Sequence, residues 1–277
     1  MKVEITILCE NSVGMAFGGI GEHGFACFIE TEHGNYLFDT GQGIGISQNA
    51  MLLKKDLASI EAIMLSHGHY DHTGGLPQVL RQRGPVPVYA HPEIFIERFW
   101  GRTRRATGLP FRRSLLESLG ADFRLSREMT EVAPGLTLTG EVPRLTPFEK
   151  GDAEMVARYD DGRELQPDPI ADDLSLVIDS DRGLIIILGC AHAGMVNILN
   201  YIMEKFDRDR IYAVIGGTHL GFSEEEQFSE TLKVIDRYGI EKLGLSHCTG
   251  LEKSALLYAK MPDRFFFACV GKTLKVE

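Results

Sequence analysis

The chain lacks most of what would mark a secreted, membrane or nucleic-acid-binding protein. Its 277 residues hold five cysteines, at positions 9, 27, 190, 248 and 269, and no CxxC pair. An odd number without paired spacing excludes a disulfide framework and a zinc ribbon, so reduced thiols are expected. Basic residues are in deficit, 29 Lys and Arg against 39 Asp and Glu, and the resulting net charge of −10 disfavours general binding to nucleic acid. No apolar run approaches the roughly 20 residues that a membrane-spanning helix needs. The opening MKVEITILCENS alternates like a strand and has neither the apolar core nor the small-residue cleavage site of a signal peptide. A cytoplasmic location is expected. Short-period repeats and low-complexity tracts are also missing, which sets aside solenoids and disordered tails. What remains is an ordinary globular composition, long enough to bury the core of one large α/β domain or of two.

Residues 66–75 read SHGHYDHTGG. His67, His69, Asp71 and His72 thus fall within six positions, although only nine histidines occur in the whole chain. Imidazole nitrogens suit Zn, Fe, Mn or Co, and a carboxylate suits the harder ions. Four ligands arriving from one turn cannot all sit well on one ion. Two adjacent ions, each completed from elsewhere in the chain, are the natural solution, and such a pair activates water and holds phosphoryl or carbonyl oxygens.

The surrounding pattern is strand followed by strand, then strand alternating with helix, and it occurs twice. Residues 2–8, 24–30 and 35–39 read as strands, with a helix near 47–55 and a buried strand at 60–65 that delivers the His loop. A helix opens at residues 74–77, and residues 86–90 form another strand. Residues 93–125 read as a helical, Arg-rich insertion, ending in a strand-like 121–125, with another strand near 135–141. Residues 149–172 are polar and read as a loop or flap. The second half predicts a hairpin over 174–188, helices at 194–206, 224–238 and 252–260, and strands at 211–216, 242–246, 264–269 and 273–276. Two sheets packed face to face, with helices outside, accommodate this order.

Three later histidines follow apolar strands: His192 after LIIILGCA, His219 after AVIGGT and His247 after KLGLS. Strand carboxyl ends are where α/β proteins place their sites. His91 ends a strand before a proline and is read as structural. His23 and His33 fall in turns and are read as solvated.

The succession of FDTG (38–41), HGHYDHTGG, GCAHAG (189–194), GGTHL (216–220), SHCTG (246–250) and TGEVPR (139–144) resembles the metallo-β-lactamase superfamily. Within it, the motifs are similar to the branch typified by dihydropterin-ribofuranosylaminobenzene phosphate synthase. The resemblance covers essentially the whole chain. It implies one domain over residues 1–277, a four-layer αββα sandwich, and a dinuclear site at one edge of the two sheets. Carried onto this sequence, it implies that His67, His69 and His192 hold one divalent ion and Asp71, His72 and His247 the second. Zinc is expected first, with Mn, Fe or Mg as alternatives. Asp39 would orient the His loop, a role that needs only a carboxylate near imidazole N–H groups. One departure stands out. Many members have Gly-Asp where this chain has Gly189-Cys190, and that Asp bridges the ions. Cys190 ligates, or His192 takes over, or the second ion is weakly held; a buried thiol beside the ligands is the reading preferred.

Arg98, Arg102, Arg104, Arg105, Arg112 and Arg113 lie near Phe99, Trp100 and Phe111. Guanidinium groups fork onto phosphate and aromatic faces stack on planar rings. Arg104 and Arg105, with Arg144, are therefore candidate substrate contacts. His219 is a candidate proton donor and Asp71 a second catalytic candidate. The expected activity is that of a metal-dependent enzyme on a small phosphorylated or diphosphorylated substrate, similar to the branch synthase. A plain hydrolase of phosphoesters, lactones or thioesters and a dinuclear-iron redox or sensing protein are the alternatives. Neither a membrane nor nucleic acid is an expected partner, and the sequence is silent on oligomeric state.

Overall fold

The computed structural model describes residues 1–16, 18–159, 162 and 164–277. Strands Thr273–Val276, Val3–Cys9, Ala26–Thr31, Gly34–Phe38, Ile60–Met64, Val86–Ala90 and Ala121–Leu125 lie side by side in that order in a first sheet. The second sheet has the order Lys242–Ser246, Ile211–Gly217, Gly183–Leu188, Ser175–Ser180, Leu136–Leu138 and Thr130–Ala133. Each sheet is antiparallel at one end and parallel at the other.

The two-residue period of the strands explains why these sheets stack. Ile5, Ile7, Cys27, Ile29 and Phe38 point from the first sheet into one apolar layer. Leu176, Ile178, Ile185, Ile187 and Ile215 meet them from the second. The alternate residues are apolar too, because helices cover both outer faces. Phe28, Leu37 and Ile63 pack on Ile46, Ala50, Val79 and Leu80 of helices Ile46–Leu52 and Leu76–Arg83. Leu184, Ile186, Leu188 and Val214 pack on Ile198, Leu199, Phe228, Ile235 and Leu257 of helices Met195–Lys205, Glu225–Arg237 and Leu251–Lys260. Each Val, Leu, Ile or Phe among them contributes roughly 1.5–3 kcal/mol on burial. The result is the αββα sandwich. No helix among the described residues is long and apolar enough to cross a membrane.

Two segments differ from the sequence reading. Residues 93–125 are not a helical insertion: they contain strands Glu97–Trp100 and Arg105–Ala106, and only Arg113–Ser118 forms an α-helix. Residues 149–172 are more than a loop, since they hold strands Met155–Arg158 and Gln166–Pro167; Asp160, Asp161 and Arg163 of that stretch lie outside the described residues. The two segments build one four-stranded sheet, with Met155 opposite Trp100 and Ala157 opposite Arg98. The cause is tertiary. Arg98 is buried and held by Asp168 at 2.8 Å and Asp172 at 2.7 Å, so a charge that reads as helix surface is a core ion pair. The expected strand at 264–269 is only an isolated bridge from Phe265 to Leu243, and Thr130–Ala133 is a strand the sequence did not reveal.

Candidate metal centre

The chain leaves five parallel strands at one edge of the sandwich and turns sharply each time. Asp39 follows Gly34–Phe38, and the His loop follows Ile60–Met64. Cys190 and His192 follow Gly183–Leu188, His219 follows Ile211–Gly217, and His247 follows Lys242–Ser246. Four of these turns use a left-handed residue that is not glycine: Asp39 (φ 58°), Ala191 (φ 57°), His219 (φ 55°) and His247 (φ 52°). Such backbone is costly for L-residues and persists only where the surroundings enforce it. Gly189 is needed for space: a Cβ there would lie 2.2 Å from Ser66 Oγ, so the two sheets can approach only without it.

Asp39 is the anchor of the His loop. Its Oδ1 accepts the Ser66 N–H at 2.7 Å, and its Oδ2 accepts from Ser66 Oγ and His72 Nδ1, each at 2.7 Å. His67 Nδ1 lies 2.9 Å from the same hydroxyl. Ligand atoms of His67, His69 and His192 fall within 4.8 Å of one another, and His69 Nε2 and His192 Nε2 are buried without a hydrogen-bond partner. A second group adjoins the first. Asp71 Oδ2 lies 3.3 Å from His247 Nε2 and 3.9 Å from His72 Nε2, and these two nitrogens are 3.3 Å apart. Cys190 Sγ is 3.2 Å from His72 Nε2, and His67, His72 and Cys190 form a further close set. The thiol therefore stands beside both groups.

Hydrogen bonding decides what those nitrogens present. His72 donates its Nδ1–H to the Asp39 carboxylate. His247 Nδ1 faces Asn11 Oδ1 at 2.9 Å, and that oxygen also accepts the Gly24 N–H at 3.3 Å. A backbone N–H can only donate, so it fixes the amide and makes His247 Nδ1 a donor as well. Both Nε2 atoms then carry lone pairs aimed at each other across 3.3 Å. That arrangement is stable only with a cation or a proton between them. Burial opposes charge on His72, but Asp39 and Asp71 outweigh it and raise its pKa to about 9. A divalent cation would displace that proton while Asp39 kept its bond to the far nitrogen. Burial lowers His69 to about 3 and pushes His67, His192 and His247 below the ordinary imidazole value, keeping them neutral. Burial would raise Asp71, but His72, His23 and His247 hold its carboxyl well below the usual range. The donor set fits divalent cations.

A cavity of about 360 Å³ opens over both groups, lined by His69, Asp71, Cys190, His192, His219 and His247 on its floor. Tyr70, Trp100, Arg105 and Phe222 form its walls. Trp100, Asp152, His192, His219 and Phe222 also line a neighbouring cleft of about 620 Å³. His219 is half-buried, its ring 4.3 Å from His192 and 4.8 Å from Phe222, and burial lowers its pKa to about 4. Arg105 sits 5.9 Å from the rings of both Tyr70 and Trp100.

Two expected substrate contacts are not brought to this cavity. Arg104 is exposed and outside its lining. Arg144 donates to the backbone carbonyls of His192, Pro169 and Ile170, which ties down the His192 turn, and it is not among the residues that line this cavity. His91 bonds Glu141 at 2.8 Å and accepts the Glu93 N–H, and it is not among the residues that line the cavity. The sequence reading missed His23, whose Nε2 lies 3.2 Å from Asp71 Oδ2. No local signal marked it, since it lies in a glycine-rich connection before a strand rather than after a strand's carboxyl end.

A family model for the metallo-beta-lactamase superfamily matches residues 19–201, which include the whole His loop and His192. The chain belongs to this superfamily. Along 99% of its length it is 31% identical to 97% of the 7,8-dihydropterin-6-methyl-4-(beta-D-ribofuranosyl)-aminobenzene-5'-phosphate synthase of Methanocaldococcus jannaschii. An uncharacterized protein of the same archaeon is 27% identical over 98% of this chain and 100% of its own. The crystal structure of Tm1679, a metal-dependent hydrolase of the beta-lactamase superfamily, superposes with a TM-score of 0.85 at 27% identity, covering 99% of both chains. As a superfamily member the chain is a metal-dependent enzyme, and its fold implies divalent-metal binding.

Proposed function

We propose that this enzyme binds two divalent cations and acts on a small phosphorylated or diphosphorylated substrate, as the similarity to the M. jannaschii synthase suggests. The observation that carries the reading is two adjoining groups of ligand atoms: Asp71 Oδ2 with the His72 and His247 Nε2 atoms, 3.3 Å apart, beside His67, His69 and His192 with two unpartnered buried imidazole nitrogens. His67, His69 and His192 would hold one ion and Asp71, His72 and His247 the other, with the Cys190 thiol beside both. When bound, the cations supply Lewis acidity toward phosphoryl oxygens. Zinc suits the imidazole-rich set, and manganese or iron are the alternatives.

The remaining roles belong to the chain. Arg105 is the cavity arginine placed to fork onto a phosphate. Trp100 and Phe222 cover the organic part of the substrate and exclude water. His219, neutral at physiological pH, donates an N–H hydrogen bond to an oxygen of the departing group. Net charge of −10 argues against a polyanionic nucleic-acid substrate. Group transfer and hydrolysis use the same cation-binding residues, and the similarity to Tm1679 supports hydrolysis as the second reading.

The test combines metal content with turnover. Protein purified with Zn or Mn should retain two ions per chain after dialysis, and should release phosphate or diphosphate from a pterin-like diphosphate. Product analysis with and without an aryl ribose phosphate acceptor separates transfer from hydrolysis. A chain that binds no ion, or that turns over no phosphorylated compound when loaded, would sink the proposal.

A further inference from the structure

His23 lies on the connection between strands Val3–Cys9 and Ala26–Thr31, and its ring is 5.0 Å from that of His247. Three features fasten this segment to Asp71. The Phe25 N–H donates to the Asp71 carbonyl at 3.2 Å. Gly24, at φ +148°, approaches so closely that a Cβ would fall 2.3 Å from that carbonyl oxygen. His23 Nε2 reaches Asp71 Oδ2 at 3.2 Å. Asn11 supplies the orientation. Its Oδ1 is committed to the Gly24 N–H at 3.3 Å and to His247 Nδ1 at 2.9 Å, so its Nδ2 is the end that faces His23 Nδ1, at 3.4 Å. An amide nitrogen donates, so His23 Nδ1 accepts and the ring proton resides on Nε2. That nitrogen is the one 3.2 Å from Asp71 Oδ2, so in this tautomer the ring presents a proton rather than a lone pair on the side of the carboxylate.

We propose that His23 is a positioning residue: its Nε2–H holds the Asp71 carboxylate in one orientation toward His72 and His247 and so sets the affinity of that cation site, leaving the His67/His69/His192 site alone. The inference rests on the two-cation reading above. Partners that orient a ligating group typically account for 10–100-fold in metal affinity. The His23 side chain is 55% exposed, which puts the expected effect near the low end of that range.

The experiment titrates the metal-free full-length protein with Zn(II) or Mn(II) against a chromophoric chelator. The wild type should bind two ions. His23→Ala should weaken one site by about 10-fold and leave the other unchanged. His23→Gln places an amide N–H where Nε2–H stood and should recover most of the loss. Nitrogen NMR of the metal-free protein near pH 8 should give His23 a protonated Nε2 and an unprotonated Nδ1. Unchanged affinities in His23→Ala, equal weakening of both sites, a Gln variant no better than Ala, or an Nδ1–H tautomer would each overturn the proposal. A wild type that binds fewer than two ions would instead overturn the two-cation reading, while the NMR tautomer would still report on the His23–Asp71 bond.

Discussion

At the scale of single residues, Asp39 and His219 separate two kinds of contribution. Asp39 lines neither of the two cavities at the site, yet it accepts three hydrogen bonds from the His loop and fixes which nitrogen His72 offers. Asp39→Asn keeps the shape but replaces one acceptor oxygen by a donor, which faces either Ser66 or His72 unfavourably. It should lower affinity for the Asp71/His72/His247 cation by 10–100-fold, measured by chelator competition. His219 lines the cavity instead and lies outside the six ligand candidates. His219→Ala should retain two ions per chain by mass spectrometry and lose turnover by about 10²–10³ as a lost hydrogen-bond donor to the departing group. Loss of one metal equivalent would make it a ligand. The histidines of the 66–75 loop and the strand-end histidines were legible in the sequence, because ligand type and spacing are local properties. His23 was not, because nothing near it in the chain betrays a carboxylate 48 positions away, at Asp71.

The small four-stranded sheet is the element that sequence periodicity read wrongly, and it carries the wall of the cavity. Its strands hold Trp100, Arg105 and Met155 over the cation groups. What fastens it is Arg98, which bridges Asp168 and Asp172, while Asp172 accepts the N–H of Gly68 between His67 and His69 at 2.8 Å. Arg98→Met leaves two buried carboxylates without their partner and should cost about 3–5 kcal/mol of stability by denaturant unfolding. A loss below about 1 kcal/mol would mean that the pair is hydrated and unimportant. The sheet also separates the two arginines that sequence composition grouped together. Arg105→Ala should raise the substrate concentration for half-saturation more than it lowers the maximal rate, whereas Arg104→Ala should change neither. Equal effects in steady-state kinetics would show that the segment acts only through its charge.

On the scale of the whole molecule, the two sheets bring the carboxyl ends of their parallel strands to one edge, so each half supplies ligands that the other lacks. Cation binding should therefore stabilise the folded chain against separation of the halves. With free metal at 100 times the dissociation constant, one site adds about 2.7 kcal/mol, which raises Tm by about 5–10 °C for a chain of this size. Calorimetry with and without chelator measures it, and a Tm indifferent to metal would refute the coupling. The succession of strands and helices and the ligand-rich loop were largely legible in the sequence, because apolar runs and a cluster of imidazoles are written in adjacent positions, and the sandwich was implied by the family resemblance; the order of strands within each sheet was not. Tertiary structure alone decided the rest: Arg98 inside a sheet rather than on a helix, and His23 against the buried Asp71. The physical reason is desolvation. A charged or polar side chain reads as surface until burial, set by segments distant in the chain, obliges it to find a partner.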